Sequence, residues 1–471
     1  MIFNSFNFII IFPLIFLLYY TIPEKSPKVR NIFLLFVSYM LYIQWKPVYA
    51  LVLLGVTIIT YYAALLIQRT DQKKLTLISG ILASLMPLVL FKYSHFINTN
   101  LGELLSVFGL NFHLTGLNWA IPVGISFFTF QAIGYLCDVY YTRHRAECNF
   151  ITYALFLSFF PCILAGPINK ASLVIPQLNK MRTYFDYEKA IEGLKLLLWG
   201  MFMKVVVADR VALYINTVLD NYMNYTGTSC IVACLLYSIQ IYADFAGYSF
   251  MAIGVGKTLG FEFSENFRRP CFAFSVSDFW RRWHISLSTW LRYCVYIPLG
   301  GSRCSKLCNY RNLLLTFMVS GIWHGANWTY IVWGSIHGFC LIIEKITGQH
   351  KCEYGWKGRF IKIVLTFLVV TFSRIFFRMP TLTDACSLIS RMFDPTLPLS
   401  VYVDKIPNLP FSVLGIGILL LKDFRDEFIP DRFPLMNHKC RYIRWSVYIS
   451  LLFMILTTGV FGSDQFIYAN F

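Results

Sequence analysis

Charge is scarce in this chain. Asp, Glu, Lys and Arg make up 14% of its 471 residues, against about 25% in soluble globular proteins. That shortage excludes an ordinary soluble protein of this length. Internal repeats, low-complexity tracts and polar linkers are also missing, so residues 1–471 read as one integrated domain. A disulfide framework is missing too. The thirteen cysteines are odd in number, and Cys137, Cys162, Cys230, Cys234 and Cys340 lie inside apolar runs, where a free thiol acts as a small hydrophobe. Cys304 and Cys308 form a C-x3-C pair in a basic loop, without the two further ligands that zinc needs nearby; no metal is expected. The opening stretch "MIFNSFNFIIIFPLIFLLYY" lacks the charged leader and small-residue cleavage site of a secretory signal. It reads as a first, retained helix.

What the chain has instead is hydrophobicity, 57% of residues, gathered in runs that approach the roughly 20 residues needed to cross a bilayer. Candidate spans lie near 2–21, 31–45, 48–67, 75–92, 119–141, 191–208, 229–248, 361–378, 407–421 and 445–461. The Lys and Arg residues cluster between them, as "EKSPKVR", "QRTDQKK", "NFRRP" and "GSRCSKLCNYR". This is the distribution of cytoplasmic loops under the positive-inside rule. It accounts for the formal net charge of +17 without nucleic acid, and makes the lipid bilayer the expected surrounding. Loops 22–30 and 68–74 then lie inside, the N-terminus outside, and ten crossings leave the C-terminus outside.

Two regions do not fit simple crossings. Residues 150–166, "FITYALFLSFFPCILAG", and 312–343 are apolar but have basic residues on both flanks. If both flanks are cytoplasmic, each region enters the membrane and returns. For 312–343 each limb has about 16 residues, short of a full pass at about 1.5 Å per residue. Gly325 and Asn327 supply the turn, and His324 sits at its tip. Irregular backbone at that depth requires protein or a water-filled cavity around it.

Three stretches carry chemistry. In residues 266–303, "SVSDFW" reads as a helix start with Ser277 as cap and Asp278 at the positive end of the dipole. Trp280, His284 and Ser288, four apart, would share one helical face. Arg268, Arg269, Arg281 and Arg282 suit either anionic lipid or an anionic donor such as a phosphorylated coenzyme. In "SGIWHGANW", His324 is either a structural histidine bonded to a backbone carbonyl or a general base for acyl transfer. His337 in "GSIHG" reads as structural. The last eight residues, "DQFIYANF", are aromatic, as at a membrane interface.

In order along the chain, "PVGISFFTFQAIGYLCDVY", "FFPCILAGPI", "KVVVADRVA", "YADFAGYSFMAIG", "DFWRRWHISLSTWLR", "YIPLGGSR" and "GIWHGANWTYIVWG" resemble the membrane-bound O-acyltransferase superfamily. The likeness covers nearly the whole chain and points to the bacterial branch of alginate and peptidoglycan O-acetyltransferase membrane subunits. It implies an all-α polytopic membrane protein: a ring of about ten transmembrane helices with re-entrant segments around a thin centre, funnelled on both faces. It makes His324 the catalytic histidine and His284 the second important one. Arg281, Arg282 and Trp283 become contacts for acetyl-CoA as acyl donor. "FIYANF" is similar to a motif at the end of this branch and on a small partner peptide of the related teichoic-acid D-alanylation system, where the tyrosine carries the acyl group; the resemblance implies that role for Tyr468. The resemblance further implies an extracytoplasmic polysaccharide O-acetyltransferase as partner and the bacterial cytoplasmic membrane as location. The chain departs from the pattern at Tyr293 and Cys294, where "LRDYVYIPLGG" is usual, and at Phe250, where an Asp is common. Asp278 is the candidate to orient a catalytic group in place of the missing Asp. Transfer of D-alanine from a carrier protein, and transport of a donor or lipid without chemistry, are the rival readings.

Overall fold

The computed structural model describes residues 3–110, 120–181, 185–348, 355–402, 409–430 and 435–461. Among them there are helices and turns and no strand. All ten expected runs fall on helices. Four are long and apolar enough to cross a membrane: Pro47–Arg69, Lys73–Val107, Gly227–Thr258 and Trp356–Arg378. Local chemistry sets many of the ends. Pro27 and Pro47 open their helices, where the missing N–H costs nothing. Asn149 accepts from the amides of Ile151 and Thr152, starting Phe150–Ser158.

Large apolar side chains point away from the protein. Ile10, Leu14 and Leu17 on Phe6–Thr21, and Phe360, Ile361 and Leu365 on Trp356–Arg378, are all exposed. A surface of this kind suits lipid and not water. The interior, in contrast, holds ionic groups. The helix Tyr187–Met201 packs on Gly227–Thr258 through two glycine pairs. A Cβ at Gly200 would stand 2.5 Å from the Gly247 carbonyl oxygen, and one at Gly193 would stand 2.6 Å from that of Gly254. Small residues let membrane helices approach this closely. Directly after, the chain forms a buried π-helical turn, Phe202–Ala208. From it Lys204 Nζ reaches Asp209 Oδ1 at 2.7 Å and Asp244 Oδ1 at 2.6 Å, with all three side chains 1–2% exposed. An intramembrane ammonium is tolerable only in such company.

Residues 150–166 form the helix Phe150–Ser158 and then buried turns through Gly166, leading to Ala171–Asn179. Residues 312–343 form the expected hairpin, two helices Lys306–His324 and Trp328–Ile346 joined at 325–327. Each limb has 19 residues, about 28 Å of helix, so the limbs are longer than the sequence suggested. Ser305 caps the first within the basic loop by accepting from the Cys308 amide, and the second runs on past Lys345. Gly325 is extended (φ −171°, ψ 157°). It is needed for space, because a Cβ there would stand 2.1 Å from the Tyr330 ring. Asn327 caps the returning limb through the Thr329 amide, at 3.1 Å.

Candidate active site

The stretch expected to be one helix through Trp280, His284 and Ser288 is broken. One helix spans Val276–Arg282 and the next Ile285–Leu291. His284 stands between them with left-handed backbone (φ 43°, ψ 54°), a conformation that costs a non-glycine residue about 1–3 kcal/mol and gathers at functional sites. The three residues therefore do not share a face. Nor is Ser277 the cap: Ser275 Oγ accepts from the Asp278 amide at 3.0 Å. The carboxylate of Glu344, from the far limb of the hairpin, accepts from the Val276 and Ser277 amides.

The kink turns His284 inward. Its side chain is fully buried, with Nδ1 3.0 Å from Asn266 Oδ1. The rings of Phe245, Trp323 and Phe127 stand 4.7, 5.8 and 6.3 Å from the imidazole. His324, the last residue of its helix, is also buried. The centroids of Trp323, Trp333 and Phe377 lie 4.8, 4.9 and 5.2 Å from its ring. Trp323 thus lies against both histidines, which are 40 residues apart in sequence. A neutral imidazole in such a place can take and return a proton.

Three participants escaped sequence reading. Lys92 emerges from the π-helical turn Val89–Tyr93 and donates to the Trp323 carbonyl at 2.6 Å and to Ser126 Oγ at 3.1 Å. Its neighbour Tyr93 donates to the Ile322 carbonyl at 2.6 Å. Together they hold the last turn of the helix that ends in His324, where a cation complements the helix dipole. The available signal was a lysine at the end of the apolar run 75–92, beside a tyrosine. Asn266, second of the three, meets His284. Asp278, the residue expected to orient a catalytic group, instead accepts from Arg282 Nε at 2.8 Å and from the Phe274 amide at 3.3 Å; it touches neither histidine. His337 is satisfied on both nitrogens, by Trp280 Nε1 at 3.2 Å and Ser373 Oγ at 3.0 Å.

The expected donor contacts separate. Arg281 is exposed and makes no ion pair among the described residues. Arg282 is held between Asp278 and Glu427, each at 2.8–2.9 Å. Trp283 is buried, with the Arg374 guanidinium 4.6 Å from its ring centroid. Glu427, the third residue missed, gathers Arg269 (2.9 Å), Arg282 (2.9 Å) and Arg359 (3.5 Å). Burial pushes its carboxyl up, but the guanidiniums of Arg282 and Arg269 outweigh that and hold it below the usual carboxylate value.

A cavity of about 420 Å³ opens beside this region, lined among others by Asp138, Lys170, Ser286, Trp290, Tyr293 and Cys294. Ser286 links it to the Asn266–His284 pair, donating to Asn266 Oδ1 at 2.9 Å. At the rim, the Tyr293 ring lies between Arg143 (4.7 Å) and Lys170 (4.8 Å). Both departures at "LRYC" therefore face the cavity. A second hollow of about 260 Å³, bordered by Arg30, Lys180, Lys189 and Lys257, includes neither histidine. Tyr468 lies outside the described residues.

Comparison with known proteins follows the same ground. The profile of MBOAT, the membrane-bound O-acyltransferase family, matches residues 64–379, a range that holds Lys92, Asn266, His284 and His324. The probable alginate O-acetylase AlgI of Pseudomonas aeruginosa is 40% identical over 399 residues, covering 83% of this chain and 75% of its own length. The peptidoglycan O-acetyltransferase of Helicobacter pylori is 35% identical over 424 residues, covering 83% and 80%. The teichoic acid D-alanyltransferase of Bacillus subtilis is 27% identical over 273 residues, covering 53% and 67%.

Proposed function

The chain belongs to the membrane-bound O-acyltransferase family, and from that premise we propose that it transfers an acetyl group from acetyl-CoA for the O-acetylation of an extracytoplasmic polysaccharide. The observation that carries the reading is the gathering of two buried histidines against Trp323, beside a cavity of about 420 Å³ with basic residues at its rim. The donor enters from that rim, where Arg143 and Lys170 meet its phosphates, and its thioester reaches toward His284. Arg281, Arg282 and Trp283 stay in the proposal as the flank of the donor path; Arg281 is the member free to meet a phosphate directly.

In the transfer, His324 takes the proton from the accepting hydroxyl as its oxygen attacks the thioester carbonyl. The C–S bond breaks, the ester forms, and the proton returns to the departing thiolate. His284 holds the donor or supports the base. The acceptor is the glycan's own hydroxyl or the phenol of Tyr468, which would hold the acetyl group as an ester until a separate extracytoplasmic transferase receives it. We place the chain in the bacterial cytoplasmic membrane, with about ten crossings in a ring around the hairpin. The relatives favour acetyl over D-alanyl transfer, since the alginate and peptidoglycan enzymes match more of the chain at higher identity than the D-alanyltransferase.

The test is mass spectrometry of the cell-envelope glycans in cells with wild-type protein, with His324→Ala, and without the gene. Acetyl esters lost in both deficient strains support the reading. Wild-type acetylation with His324→Ala would sink it, and loss of D-alanyl in place of acetyl esters would select the other donor.

A further inference from the structure

Asn266 opens the stretch 266–303 but has no chemical role in the transfer as described so far; it stands in the loop between Gly227–Thr258 and Val276–Arg282 and is 1% exposed. Two main-chain bonds zip this loop to the kink at His284: the Ile285 amide donates to the Asn266 carbonyl at 3.0 Å, and the Arg268 amide to the Arg282 carbonyl at 2.9 Å. The side-chain amide is held equally firmly. Its Nδ2 donates to Ser249 Oγ at 2.9 Å. Its Oδ1 receives Ser286 Oγ at 2.9 Å and the Ser286 amide at 3.4 Å. A backbone N–H can only donate, so the atom facing it is the oxygen, and the amide has one orientation.

That orientation reaches the imidazole. Oδ1 faces His284 Nδ1 at 3.0 Å and has no proton to give, so Nδ1 must carry one. The competing partner is Ser286 Oγ, 3.5 Å from Nδ1. That hydroxyl already accepts from the Ile168 amide at 3.0 Å and donates to Asn266 Oδ1. With the proton on Nδ1, the lone pair of the neutral ring is on Nε2. Nε2 is buried, without a hydrogen-bond partner among the described residues, in a compartment walled by Phe127, Phe245, Phe267 and Trp323. Burying an acceptor unsatisfied is costly, and the left-handed backbone at His284 adds to that cost.

We propose that Asn266 is a positioning residue for the transfer: it locks His284 as the Nδ1–H tautomer, so that Nε2 presents its lone pair to an N–H or O–H group of the bound acyl donor or acceptor. With four aromatic rings around this acceptor, a ligand hydrogen that meets Nε2 supplies the partner the nitrogen lacks. Discrimination by such a group is strong, because a ligand lacking the hydrogen leaves the nitrogen unpaired. The proposal rests on the acyl-transfer reading above, and its test separates the two.

The protein is labelled with ring-¹⁵N histidine, purified in detergent, and the His284 resonances are assigned by their loss in His284→Gln. In wild type, Nε2 should show the shift of an unprotonated nitrogen and Nδ1 that of a protonated one. Asn266→Ala should mix the tautomers and lower kcat by about 10–100-fold, the range seen when a metal-ligating histidine loses the partner that fixes its tautomer. Asn266→Asp keeps the acceptor and should retain the Nδ1–H tautomer and most of the rate, with the acid limb of the pH–rate profile moved because an anion now faces the ring. A protonated Nε2 in wild type overturns the proposal. So does an unchanged tautomer in Asn266→Ala, or a changed tautomer at undiminished rate. Full activity of His284→Gln would instead count against the role given to that histidine in the transfer itself, whichever tautomer is found.

Discussion

Replacing Gly321 with alanine tests whether the hairpin sets the position of His324. Gly321 lies in regular helix one turn before the histidine, so alanine meets no backbone strain there. Taken alone, the exchange favours the helix by about 1 kcal/mol. The neighbouring limb reverses the sign. A Cβ at 321 would stand 2.2 Å from the Tyr330 carbonyl oxygen, whereas ordinary contact begins at 3.4 Å. The obstacle is backbone, so no side-chain rotation relieves it, and the limbs must part by about 1 Å. Overpacking of this kind costs about 1–3 kcal/mol, which offsets or exceeds the propensity gain by about 0–2 kcal/mol and leaves a folded protein. Catalysis is less tolerant, since a displacement of about 1 Å at a reacting group costs about 100-fold in rate. The assay pairs transfer of labelled acetyl from acetyl-CoA with thermal unfolding of the purified protein in detergent. We expect a fall in kcat of about two orders of magnitude with a shift of a few degrees at most. Gly55→Ala is the control. It is also helical, has nothing within 4 Å of its would-be Cβ, and should keep wild-type turnover. Turnover by Gly321→Ala within twofold of wild type would show that the spacing of the two limbs does not set the position of His324.

Lys92→Met removes the ammonium from the Trp323 carbonyl. It should lower kcat more than it changes KM and reduce stability by about 1–3 kcal/mol, read from steady-state kinetics and thermal unfolding. Lys204→Met leaves the carboxylates of Asp209 and Asp244 buried without their shared cation; a loss of about 3–5 kcal/mol should appear as a collapse in the yield of monodisperse protein, while Asp244→Asn should be milder. At Glu427 the folded carboxyl is held below its usual value of 4.5, so its stabilising effect is complete above the unfolded value and fades as pH falls through the folded one. Glu427→Gln should therefore be less stable than wild type at neutral pH, and the two unfolding temperatures should converge well below pH 4.5. A constant gap across that range would contradict the ion-pair assignment.

Helix class and approximate spans were written locally. Apolar runs of bilayer length between basic clusters specify where helices form, whatever packs on them, and every expected run fell on a helix. The hairpin was equally local: "WHGANW" places a residue without a Cβ, a capping asparagine and the histidine within four positions. The ordered motifs identified the family for the same reason, being contiguous strings. The site's supports were not written locally. "SDFWRRWHISLSTWLR" has no glycine or proline to announce a break, and its helix ends because Asn266 and its loop bind the chain at Arg282 and Ile285. Lys92 lies 231 residues from the carbonyl that it holds, and Glu427 lies 145 residues from Arg282. Asp278 looked from the sequence like the partner of a catalytic group because it is the nearest acid, yet it pairs with the guanidinium one helical turn away. Short-range pattern decides helix, turn and family. Which polar group meets which inside an apolar interior depends on contacts between distant segments, because every buried donor and acceptor must find its partner wherever the packing of the whole chain provides one.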